Sequence, residues 1–166
     1  TLLNYYLDDP VSEHEIIESL LNLVPLEKVQ ARRGFSLLDL KTFAESKGYE
    51  VTGYKMDVEF MRKLNKPVLV PIKFKNYRHF VIVRGVIADR IFIADPAVGN
   101  ISMKIPKFER IWTKGIGLVI DKVQGHPAEY ALKIDKDDLI ISDYKIMRRL
   151  IDRSAIRTAI YPSEWK

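Results

Sequence analysis

Apolar positions recur at helical spacing in the first third of the chain and at strand spacing after it. Leu2, Leu3, Tyr5 and Tyr6 start a helical pattern with no cap ahead of it, an unusual way for a helix to begin. Thr1 is therefore read as a cut through a helix whose first turns precede this chain. Asp8-Asp9-Pro10 breaks the pattern. Ser12 and Glu15 then give an S-x-x-E capping signature for a helix with Ile16, Ile17, Leu20, Leu21 and Val24 on one apolar face, closed by Pro25. Arg32-Arg33-Gly34 reads as a turn. Ser36 with Asp39 repeats the signature for a helix that buries Leu37, Leu40, Phe43 and Ala44 and stops at Gly48.

The later pattern is β. Tyr49 to Tyr54 is a short strand, Asp57 caps a short helix through Leu64, and Asn65-Lys66 turns the chain. Runs rich in Val, Ile and Phe follow at 67–74, 79–86, 90–94, 101–105 and 117–120. Pro71 lacks the N–H that a ladder needs, so its strand is expected at an edge or a bulge. Pro106 to Trp112 reads as a short helix that turns Phe108, Ile111 and Trp112 inward. Helices first and antiparallel strands afterwards predict an α+β domain over residues 1–123. Residues 124–166 are expected to form an extension docked on that domain. It would hold a turn at Gln124-Gly125-His126-Pro127, a strand from Tyr130 to Ile134 and a basic amphipathic helix from Ile140 to Ile156.

Composition narrows the function classes. A chain of 166 residues suits one globular domain, and no apolar run approaches the roughly 20 residues that cross a bilayer. The formal charge of +5 is spread among interleaved acids, and the densest basic run, Arg148 to Arg153, reads as a solvated helix face rather than a nucleic-acid or lipid site. There is no cysteine, so these residues hold neither a disulfide nor a thiolate metal site. His14, His79 and His126 lack metal-ligand spacing, and no cofactor is expected. Tyr5, Tyr6, Tyr54 and Trp112 fall on apolar faces and read as core.

The candidate chemistry lies in Tyr77-Arg78-His79-Phe80-Val81 and in Ala94-Asp95-Pro96 through Gly99. A loop of about four residues, Val86 to Asp89, would set Gly85 opposite Arg90 and His79 opposite Pro96, next to Asp95. A carboxylate there accepts one ring N–H of His79, fixes the tautomer and leaves the other nitrogen free to activate a nucleophile. Alone, His79 reads as a strand-end histidine and Asp95-Pro96 as a turn; in register they form two thirds of a nucleophile–His–Asp triad.

On these residues the chain resembles the bacteriocin-processing, double-glycine leader peptidases, which are papain-like cysteine peptidases. The resemblance runs from Thr1 to about Ile120. It includes Leu2-Leu3-Asn4-Tyr5-Tyr6, Gly34-Phe35-Ser36, Gly48-Tyr49 and Lys66-Pro67-Val68 beside the His79 and Asp95 motifs. It implies a papain-like fold with His79 as base and Asp95 as its orienting group. The nucleophilic cysteine and an oxyanion-hole glutamine are implied ahead of Thr1, the cysteine by about two helical turns, so this chain by itself is expected to be inactive. The implied substrate is an exported peptide or protein precursor cut after Gly-Gly, such as a bacteriocin-like peptide, an adhesin or an amyloid subunit. Its leader would dock as an amphipathic helix.

Many relatives are cytosolic domains of ABC exporters in which a membrane span follows. The charged residues after Ile120 fit a stand-alone enzyme better, and such members imply an extracytoplasmic location beside a secretion apparatus. The strongest rival is a peptidase-like domain without cysteine that binds a secretion substrate and does not cleave it; a papain-like transferase or amidase is a further alternative.

Overall fold

A computed structural model describes residues 1–74, 77–123, 130–135 and 138. The expected turn at 124–127, the helix at 140–156 and the basic run within it lie outside the described residues.

The helical part is built by its caps. In α2 (Glu13–Leu23) the Ser12 hydroxyl accepts from the Glu15 N–H at 3.2 Å while the Glu15 carboxylate accepts from the Ser12 N–H at 2.7 Å. In α4 (Leu37–Ser46) Ser36 and Asp39 make the same reciprocal pair at 3.2 and 2.7 Å. Each pair satisfies amide groups that a helix start leaves open. Ahead of them lies the single turn α1 (Leu2–Tyr5). A further helix, α3 (Leu26–Arg32), was not expected. Pro25 closes α2 yet also serves as the N-cap of α3, because a missing N–H and a fixed φ are harmless at a helix start. Arg33, at φ +56, and Gly34, at φ +132, then turn the chain into α4.

Six antiparallel strands follow, interrupted by two short helices: β1 (Tyr49–Lys55), α5 (Val58–Leu64), β2 (Val68–Phe74), β3 (Tyr77–Ile87), β4 (Arg90–Asp95), β5 (Gly99–Lys104), α6 (Ile105–Ile111) and β6 (Ile116–Lys122). Their order is β1-β6-β2-β3-β4-β5. The fold is thus α+β, with the amino-terminal helices packed on an antiparallel sheet, as the patterning indicated.

Several local expectations need correction. Pro71 is neither on an edge strand nor at a bulge: β2 lies between β6 and β3, and its pairing with β3 is regular through Pro71↔Phe80. The missing donor is tolerated because β6 pairs with β2 only at Leu69↔Leu118; beyond it, the Pro71 carbonyl accepts from the Thr113 N–H at 3.0 Å. The β3–β4 hairpin turns through Ala88-Asp89 alone, with Ile87 opposite Arg90, and a bulge between Val83 and Gly85 then shifts the register. Ile82 consequently faces Ala94, one residue from the expected pairing. Tyr130 to Ile134 is not a strand but a run of turns and a bend.

Both faces of the sheet are buried. Val68, Val70, Val81, Val83, Ile91 and Ile93 pack with Met61 of α5 and Phe108 of α6. On the other face Ile82, Ala94, Leu118 and Ile120 share a cluster with Leu2, Leu3 and Tyr6 around α1, Leu20 of α2 and Phe43 of α4. Tyr6 anchors α1 further by donating to Asp121 at 3.1 Å, and the other oxygen of that carboxylate accepts from Lys66 at 2.8 Å. The apolar face assigned to α2 is only partly covered: Leu20 and Val24 are buried, whereas Ile17 and Leu21 remain exposed. α2 rests mainly on α4, and an outer-layer helix needs a narrower apolar stripe. Tyr5 also faces solvent, unlike Tyr6.

Candidate active site

β3 begins at Tyr77, so His79 lies two residues inside the strand rather than at its mouth, paired with Ile72 of β2. β4 ends at Asp95, and the segment Pro96-Ala97-Val98 returns the chain to Gly99, which is Asp95's own register partner. Three local features hold this turn: Gly99 adopts φ +84, the Val98 N–H donates to the Asp95 carbonyl at 3.2 Å, and the Ala97 N–H donates to the Asp95 carboxylate at 2.8 Å. The last is an Asx-turn, and an Asp ahead of Pro-Ala allows it.

The structure brings the two singled-out side chains together. Nε2 of His79 lies 2.9 Å from Oδ1 of Asp95, with the imidazole 18% exposed and the carboxylate 6%. Burial alone would raise the carboxyl pKa. The bond and charge of His79, together with the backbone N–H groups of Ala97 and Val98, outweigh it and hold Asp95 below the usual carboxylate range. An ionised Asp95 can only accept, so Nε2 carries the proton and donates. Nδ1, the other ring nitrogen, does not take part in this contact.

Two features escaped sequence reasoning. The Tyr77 ring stacks on the His79 imidazole, with centroids 5.6 Å apart and planes at 28°. Alternation along a strand puts residues i and i+2 on one face, which is the signal that could have found it. Arg78 donates to the carbonyl of Arg32, tying this strand to the end of α3, and no local pattern announces that contact. The apolar cluster that encloses α1 includes Ala94, the residue before Asp95, and Ile82, Ala94's partner.

The sequence pattern of the Peptidase C39 family matches residues 4–124, most of the chain and both halves of the His79–Asp95 pair. The chain belongs to this family. Among curated relatives it is 28% identical over 120 residues to the probable functional amyloid protease FapD of Pseudomonas aeruginosa, covering 72% of this chain and 53% of that protein. It is 32% identical over 108 residues to FapD of Pseudomonas fluorescens, covering 65% and 46%. The lactococcin-G-processing and transport ATP-binding protein LagD of Lactococcus lactis is 32% identical over 117 residues, which make up 69% of this chain but 16% of LagD. The chain therefore spans about half the length of its FapD relatives. The peptidase domain of Streptococcus ComA superposes with a TM-score of 0.57 at 22% identity, covering 69% of this chain and 80% of that domain. Its fold is thus the papain-like α+β fold of C39 peptidase domains. No described helix is long and apolar enough to cross a membrane.

Proposed function

We propose that the complete protein is a cysteine endopeptidase that cuts an exported precursor after a Gly-Gly pair, with His79 as general base and Asp95 as the group that orients it. The observation that carries this reading is the 2.9 Å contact between Nε2 of His79 and Asp95, which leaves Nδ1 available. Membership of a peptidase family supports it.

The nucleophile is a cysteine thiol in the turns ahead of α1. His79 Nδ1 takes the thiol proton, and the thiolate attacks the carbonyl carbon of the second glycine. The tetrahedral intermediate collapses, the C–N bond breaks, and the imidazolium returns its proton to the leaving amine. Water, deprotonated by the same nitrogen, then releases the acyl group. Throughout, Asp95 holds the ring and stabilises the imidazolium without taking its proton. Similarity to the FapD proteins and to LagD supports amyloid subunits and bacteriocin-like peptides as substrates, and an adhesin precursor is the third class that this reading allows. In this reading a FapD-like, stand-alone enzyme acts outside the cytoplasm beside a secretion apparatus, which fractionation of cells producing the complete protein checks.

A second reading is a domain that holds its secretion substrate uncut. Incubation of the complete protein with a leader peptide containing Gly-Gly, followed by mass spectrometry, separates the two. Cleavage after the second glycine that is abolished by His79→Ala supports the peptidase. Tight binding of an intact leader supports the holding domain, and near wild-type cleavage by His79→Ala removes His79 from the mechanism.

A further inference from the structure

Beyond the family match, which ends at residue 124, Tyr130–Asp135 and Asp138 lie against the sheet and make a set of contacts that the peptidase reading does not use. Their anchor is Arg84, the extra residue of the β3 bulge between the pairs Val83↔Ile93 and Gly85↔Phe92. Val81, Val83 and Val86 share one core cluster, so the bulge frees both Arg84 and Gly85 to face the other way. The Arg84 guanidinium donates to the Leu132 carbonyl at 2.9 Å, to the Lys133 carbonyl, and to Oδ1 of Asp138 at 2.6 Å. Its side chain is 2% exposed and that of Asp138 is 6%. Asp138 and Asp135 also exchange backbone-to-carboxylate bonds at 2.9 and 3.0 Å. At Gly85 the approach is so close that a Cβ would lie 2.9 Å from Cδ1 of Ile134.

The other side of this segment meets α1. The Tyr130 ring packs edge-on against Tyr6 with centroids 4.8 Å apart, and Leu132 is buried in the cluster that holds Leu2, Leu3 and Tyr6. One piece of chain thus touches both α1 and the strand that carries His79. An apolar contact would serve stability alone with less desolvation. A buried planar fork with three fixed acceptors sets direction as well.

We propose that Tyr130–Asp135 and Asp138 form a strap that fixes α1 relative to β3, with Arg84 and Asp138 as positioning residues for the cleavage reaction. This rests on the reading above, in which α1 continues back to the nucleophile. A shift of α1 against β3 moves the thiol against His79, and attack geometry tolerates little displacement.

The test uses the complete protein with Asp138→Asn, which keeps the shape but removes the charge, and Arg84→Lys, which keeps the charge but removes the fork. Hydrogen exchange is followed at the amides of Tyr5, Tyr6 and Leu7, which donate within the first turn. Both variants should lose about 10-fold in protection there, while the β4–β5 ladder keeps its own. On a Gly-Gly leader kcat should fall about 10-fold with KM unchanged. Unchanged α1 protection would overturn the strap, and so would wild-type kcat in a variant whose Tm has dropped. A wild-type protein that cuts no leader would instead sink the peptidase reading and with it the catalytic part of this proposal; exchange at α1 still decides the mechanical part.

Discussion

β3 contributes one member to each of two polar side-chain pairs, which differ in solvent access and in what they hold. His79, two residues inside β3, meets Asp95 at the end of β4, where the imidazole keeps a reachable edge and one uncommitted nitrogen. Arg84 and Asp138 meet where the strand is covered, and the guanidinium is spent on fixed acceptors of the strap. A group that must exchange protons with a substrate needs access and a spare valence. A group that holds two pieces of backbone in register needs neither, and gains from the low dielectric of its burial. Two side-chain contacts of similar length, each with one member on β3, thus differ in what they are suited to do, a distinction that distances alone do not draw.

The sharpest way to break this comparison is His79→Ala in the complete protein. Leader cleavage should fall by about 10³-fold or more, about 4 kcal/mol in transition-state stabilisation, while thermal unfolding stays near wild type. The reverse pattern is expected at the covered pair. Arg84→Met leaves a buried carboxylate unpaired and should cost about 3 kcal/mol in urea unfolding, and adding Asp138→Leu should recover part of that loss. A loss in the double variant equal to the sum of the losses in Arg84→Met and Asp138→Leu alone would show that the charges are not coupled.

Asp95→Asn sharpens the contrast, because in the proposed mechanism this carboxylate serves both stability and turnover. Turnover of the complete protein should fall by about 10²-fold. The native Asp95 pKa lies below its ordinary value of 3.8, so its contribution to stability is fully present above 3.8 and is lost as pH falls through the lower native value. The stability gap between wild type and Asp95→Asn, measured by urea unfolding across pH, should therefore be widest near neutrality and close in acid. A gap independent of pH would mean that the ionised form earns no preference in the fold. The smallest effect belongs to neither pair: Ser36→Ala removes the acceptor that caps α4 and should cost about 1 kcal/mol with turnover unchanged.

The two pairs also differ in how far the chain runs between their members. His79 and Asp95 belong to one hairpin, sixteen residues apart, so strand spacing and turn chemistry bring them near each other even when the hairpin is misread. The expected four-residue loop was wrong and so was the register by one residue, since a bulge follows from packing rather than from a turn signature. The contact tolerates the error because a one-residue shift still leaves His79 of β3 within reach of Asp95 at the end of β4. Arg84 and Asp138 are fifty-four residues apart, and nothing within a short window tells an arginine in an apolar strand where its carboxylate will come from.

The same division runs through the fold. The sequence by itself determined the caps at Ser12, Ser36 and Asp57, the switch from helical to strand spacing near Tyr49, and the neighbourhood of His79 and Asp95. Each depends on residues a few positions apart or on one hairpin, where backbone geometry leaves few choices. Only the tertiary structure decided that β2 sits inside the sheet despite Pro71, that Ile17, Leu21 and Tyr5 stay in water, and that Tyr130 to Ile134 is pinned as turns and a bend instead of a strand. Those outcomes depend on which distant surfaces remain to be covered once the local elements exist, a competition among burial, desolvation and hydrogen bonding settled over the whole chain at once.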